Sequence, residues 1–132
     1  MRWVDVVSDL RSTQTVVAAG ERWLGITWLL GPERQRQRVE LARARGRDHV
    51  VITAGVLPLV QLSLVAVLRQ NAGLLAGALA LEGQTCVLRV AMRLDELDTP
   101  KLRRAMVHCA HEAARLRRLR RDAAEPTPHR ID

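Results

Sequence analysis

Residues 22–54 read RWLGITWLLGPERQRQRVELARARGRDHVVITA, and this stretch decides the fold. Leu24, Ile26, Trp28 and Leu30 recur at a period of two, the spacing of a strand with one buried face. Gly31-Pro32 breaks that run. Over residues 33–44, Gln37, Val39 and Leu41 alternate with Arg36, Arg38 and Glu40, a second strand with one wet face. Arg45–Asp48 is a polar turn around Gly46. His49–Ala54 then carries the β-branched series Val50, Val51, Ile52 and Thr53, a third strand. Three alternating runs joined by short connections predict an antiparallel meander.

Working outward, residues 3–12 predict a short helix with Val4, Val7 and Leu10 facing inward. A linker or an extra strand over Thr13–Gly20 follows. On the other side, Pro58 suits the first turn of a helix. Leu59–Ala72 has helical spacing, and Asn71 and Gly73 provide its stop. On this helix Val60, Leu64, Val67 and Leu68 share one face, while Leu62, Val65 and Ala66 lie opposite with Arg69. A helix apolar on both sides must be covered on both sides. The chain's own N-terminal segment is one candidate cover. A second molecule is the favoured one, giving a dimer interface of Leu59, Leu62, Val65, Ala66 and Arg69.

Leu75–Leu81 and Thr85–Leu94 predict two more strands around the turn Glu82-Gly83-Gln84. Cys86, Leu88, Val90, Met92 and Leu94 line one face of the second strand. Val87, Arg89, Ala91 and Arg93 line the other, which is expected to meet solvent or a partner. Asp98-Thr99-Pro100 is a helix start, with a capping side chain and an early proline. Leu102, Met106, Cys109, Ala113 and Leu116 then repeat at helical spacing to about Asp122. The order is helix, three-strand meander, helix, β-hairpin, C-terminal helix, which is an α+β class. One domain over residues 1–123 and a flexible tail over 124–132 complete the expected organisation.

The chain has 132 residues, 48% of them hydrophobic and 27% charged, which suits one globular domain rather than a disordered polymer. Its formal charge of +7 is unevenly placed. Residues 99–121 hold Lys101, Arg103, Arg104, Arg115, Arg117, Arg118, Arg120 and Arg121 against Glu112 alone, and the rest of the chain is balanced. No apolar run is long enough to span a bilayer, and Asp5 and Asp9 interrupt the N-terminus where a signal peptide would be apolar. No membrane association and a cytoplasmic location are therefore expected. Cys86 and Cys109 sit inside apolar patterns and are expected as buried free thiols.

The segments WLGITWLLGPERQRQRVEL, DHVVITAGVLP, LRQNAGLLAGALALEGQTCVLRVAMRL and LDELDTPKLRRAM carry a family resemblance. Their layout is an antiparallel sheet with one helix inserted between strands, an NAG helix end before a hairpin, and an LD step into the last helix. Over roughly residues 20–121 it resembles the type III secretion chaperone-like fold, which the YbjN-like bacterial proteins share. The resemblance implies a small cytoplasmic homodimer that holds an extended region of a protein client, with no cofactor and no catalytic residues. Secretion chaperones of this kind are typically acidic, whereas this chain is basic, so a divergent chaperone-like domain serving another bacterial system fits better.

Nothing in the residues argues for an enzyme. Ser8, Ser12 and Ser63 and the histidines His49, His108, His111 and His129 fall in no nucleophile–base frame. The eight glycines form no phosphate loop, and HCAHE matches no metal-ligand spacing. Asp95, Glu96 and Asp98 are explained by the helix start they precede. The run Arg115, Arg117, Arg118, Arg120 and Arg121 has three readings: a solvated helix end, a docking face for an acidic protein, or a contact to nucleic acid phosphates. Against the last, no aromatic residues interleave with the arginines. Arg34, Arg36, Arg38, Arg43, Arg45 and Arg47 form a second basic area, diluted by Glu33, Glu40 and Asp48. The expected function is a non-enzymatic, chaperone-like module that binds a protein partner as a homodimer. A nucleic-acid binder using the last helix and a structural subunit of a larger assembly are the alternatives.

Overall fold

The meander read from residues 22–54 forms the middle of a six-stranded antiparallel sheet in a computed structural model that describes residues 1–58, 64–74 and 76–124. In chain order the elements are α1 (Trp3–Thr13), β1 (Thr15–Gly20), β2 (Trp23–Leu30), β3 (Glu33–Ala44), β4 (Arg47–Pro58), α2 (Leu64–Gly73), β5 (Ala78–Glu82), β6 (Thr85–Arg93), a 3-10 turn at Leu94–Glu96, and α3 (Thr99–Ala124). The strand order is β1-β2-β3-β4-β6-β5. The segment before the meander is therefore a strand, and it extends the meander to four. The class is α+β, as the order of the predicted elements implies.

Register places the apolar alternation on one face. Leu24 lies opposite Val39, Val39 opposite Ile52, and Ile52 opposite Val90. Helices α1 and α3 cover this inner face. Leu102, Met106, Cys109, Ala113 and Leu116 of α3 are all buried with Leu24, Ile26, Val50, Ile52 and Leu88 of the sheet. Each of the Leu, Ile, Val and Met side chains so removed from water contributes about 1.5–3 kcal/mol. On α1 the inward residues are Val6 and Leu10, whereas Val4 is 57% exposed. Val4 therefore lies out of phase with the i, i+4 stripe of Val6 and Leu10 that meets the sheet.

Two glutamines sit in this apolar layer because two structural features need them. Gln37 is 3% exposed; its Nε2 donates to the Met106 carbonyl (2.9 Å), and its Oε1 accepts from Trp28 Nε1 (2.9 Å). It thus ties β3 to α3 and satisfies a half-buried indole. Gln35 donates to the Gly55 carbonyl (3.1 Å) and to the Arg36 carbonyl (3.0 Å). Gly55 is where the β4–β6 register shifts by a bulge, and such a bulge bends its strand and leaves backbone groups to be paired by other means.

Some boundaries differ from expectation. Pro58 is the last residue of β4, paired with Thr85, rather than part of a helical first turn. β4 runs well past Ala54, because the bulge lets the strand continue through Gly55 and Pro58. Residues 59–63 lie outside the described residues, and α2 is described from Leu64. It ends at Gly73, as predicted, and Asn71 reaches from it to both backbone groups of Leu79 in β5. Leu68, assigned to the inward face of α2, is 67% exposed, and Val67 is the residue that packs on the core. Asp98 caps α3 by accepting from the Lys101 N–H (2.8 Å). α3 continues through Ala124, and the remaining tail, 125–132, lies outside the described residues.

Candidate functional site

Of the α2 residues proposed as a dimer face, Val65 is 57% exposed and Arg69 is also exposed. Leu59 and Leu62 lie outside the described residues, as does the side chain of Ala66. Leu68 joins Val65 as a second large apolar side chain facing outward on this helix. The helix therefore presents an apolar surface, although with a partly different membership from that expected.

The basic end of α3 is less free than its charge count suggests. Arg115 pairs with Glu112 on its own helix, which holds the Glu112 carboxyl below its ordinary range. Arg117 reaches Glu33 (3.4 Å) and the Arg34 carbonyl (3.4 Å), and Arg118 lies 3.7 Å from the same Glu33. Both arginines thereby tie α3 to the start of β3. Arg120 and Arg121 belong to the same helix, with side chains outside the described set. Nearer its start, Arg103 donates to Asp9 (3.3 Å) and Thr13 (3.1 Å), joining α3 to α1. Cys86 and Cys109 are buried free thiols, and burial pushes the Cys109 thiol up to about 11. His108 is half-buried and His111 exposed on α3.

The opposite face of the sheet holds a feature that the sequence did not single out. A concavity of about 660 Å³ is lined entirely by strand residues, among them Trp23, Arg36, Arg38, Thr53, Gly55 and Val87. Val51, Thr53 and Val87 point to this outer face, yet each is at most 5% exposed. Above them Arg38 crosses two intervening strands, β4 and β6, to reach both oxygens of Glu82 at 2.7 Å each. The bidentate pair depresses the Glu82 carboxyl below its ordinary value and raises the Arg38 guanidinium. The Trp23 ring forms a wall of the hollow. A Cβ on Gly20 would fall 2.2 Å from its Nε1, so this glycine makes room for the indole, whereas a Cβ on Gly25 would stand in ordinary contact with the ring, 3.6 Å from Cζ3.

Arg36 is exposed, with no carboxylate against its guanidinium among the described residues. Arg89, opposite Thr53 in the β4–β6 ladder, stands exposed beside Glu82. Thr53 Oγ1 is buried without a hydrogen-bond partner. The signal in the sequence was the arginine alternation on β3 and β6. The hollow itself depends on the bulge at Gly55 and on strand order, which no local pattern reveals.

No family model matches this chain, and no curated protein does. Among solved structures, it is similar to a chain of the HopA1–SchA chaperone–effector complex, with a TM-score of 0.61 over 86% of this chain and 89% of that one, at 14% identity. That likeness defines the fold as the secretion chaperone type. Among the described residues no cluster of metal-ligating side chains occurs, and no helix is long and apolar enough to cross a membrane.

Proposed function

We propose that this protein is a non-enzymatic, chaperone-like binding module of the superfamily that includes the YbjN-like proteins. It acts as a cytoplasmic homodimer that holds a segment of a bacterial protein client. The observation that carries the reading is the fold, shared over most of both chains with a chain from a chaperone–effector complex. The dimer part is supported by Val65 and Leu68, two large apolar side chains left facing outward on α2. A twofold axis would bring the same helix against itself, burying on the order of 800 Å² per partner.

Two measurements test this. Light scattering should report a dimer at micromolar concentration, and Val65→Glu with Leu68→Glu should convert it to a folded monomer. A monomeric parent protein, or an intact dimer in the double variant, removes the α2 interface. A tagged chain used as bait in its native host should retain a protein whose bound segment becomes protease-sensitive once released. The nucleic-acid reading loses ground because Arg115, Arg117 and Arg118 have acidic partners within the chain.

A further inference from the structure

We propose that the hollow on the outer face of the sheet is a docking groove for a short, extended, acidic segment of a partner protein. The inference rests on the protein-binding reading above and assigns the chemistry of the bound segment.

Four observations converge on this occupant. The first is charge. Arg34, Arg36, Arg38 and Arg89 share the outer face with only Glu40 and Glu82, and those two carboxylates already bind Arg38. Arg34 and Arg36 are left with guanidinium groups that no carboxylate neutralises among the described residues. The second is floor space. A Cβ on Gly55 would meet nothing within 4 Å, so the groove is open above this strand. Across the sheet Val17, 59% exposed, with Ala18 and Gly25 gives an apolar surface suited to small side chains. The third is the unpartnered Thr53 hydroxyl, in a residue 95% buried at the same place. A buried polar group of this kind calls for a partner, and Thr53 belongs to the lining of the hollow. The fourth is shape: a trough bounded by Trp23 on one side and by the Arg38–Glu82 strut on the other fits an extended chain.

A polynucleotide suits the site less well. Trp23 is the one aromatic residue lining the hollow, so successive bases have no stacking platform. A peptide alternating acidic and apolar residues meets both kinds of surface, its carboxylates at Arg36 and at Arg89 beside the hollow and its apolar side chains over Gly55 and Val17.

The test is fluorescence-polarisation binding to the full chain. The probe is a labelled octapeptide of alternating Glu and Leu, compared with a Lys–Leu octapeptide and a labelled oligothymidylate. The acidic peptide should bind, with affinity falling as salt rises and with a change in Trp23 emission. Arg36→Glu with Arg89→Glu should weaken it at least about tenfold, because reversed charges remove attraction and add repulsion. Gly55→Val should weaken it comparably by filling the floor, with circular dichroism unchanged. Arg115→Glu should leave it as in the parent.

Equal binding by the groove variants, or equal binding of the Lys–Leu peptide, overturns the proposal. So does an oligothymidylate that binds with the same dependence on Arg36 and Arg89, which would make the surface a polyanion site. If a client from the native host is retained equally by the parent chain and by the groove variants, the groove assignment fails while the chaperone reading stands. If the acidic peptide binds through Arg36, Arg89 and Gly55 while no host protein is retained, the groove stands and the chaperone reading fails.

Discussion

At the scale of single residues, the informative positions are the ones that break the apolar pattern. Gln37 lies where the alternation of β3 demands an inward side chain, and inward it goes, with both ends of its amide used. Gln37→Ala should therefore cost about 2–3 kcal/mol, since it strands the Trp28 N–H and leaves a void beside α3. Urea denaturation should show the loss as a lower midpoint at an unchanged slope. The sequence revealed the direction of this side chain but not its partners, because Met106 and Trp28 come to it through pairing across the sheet and packing of a distant helix. The same holds for Arg117 and Arg118. Their positive charge was plain in the sequence, whereas the carboxylate that engages them, Glu33, lies more than eighty residues earlier.

Among the elements, those with a strong period were legible and those punctuated by glycine or proline were not. β2, β3 and α3 follow directly from alternation or from i, i+3 and i+4 spacing. The pattern of β4 stops at Ala54 because Gly55 and Pro58 resemble breakers, and the bulge that accommodates them has no signature in a single sequence. The start of β5 turns on Gly77, which has φ of 78°. A Cβ there would stand 2.8 Å from the Arg89 carbonyl oxygen and 2.9 Å from Val90 Cγ2. Gly77→Ala should destabilise the fold by about 1–3 kcal/mol through backbone strain, with the steric conflict added. Gly83 has φ of 60° in open space, so Gly83→Ala should cost less. Thermal unfolding of the two variants compares them directly, and equal losses would show that the close approach at Gly77 has no effect.

For the whole molecule, one face of the sheet makes the core and the other is held in shape by a charged strut. Arg38 and Glu82 are both partly exposed, so screening limits the strut to less than about 1 kcal/mol. Its pH dependence has a definite sign. The Glu82 carboxyl titrates lower in the folded protein than in the unfolded chain. Its contribution is therefore complete above the ordinary glutamate range and is lost as the pH falls through the depressed folded value. Glu82→Gln should lower stability in urea at neutral pH and make no difference in acid below that range. The fold class was legible because composition, alternation and helix signals agreed with one another. The groove was not, since its walls come from β1, β2, β3, β4, β5 and β6 together. The strand order carries a last consequence, for the path by which the chain folds. Four of the five pairings join strands adjacent in sequence, and only β4 with β6 does not. The four-strand meander and the β5–β6 hairpin can each condense locally. The entropy of closing residues 59–84 into a loop then falls on a single seam, where Pro58 must find Thr85 before the ladder between them can repay it.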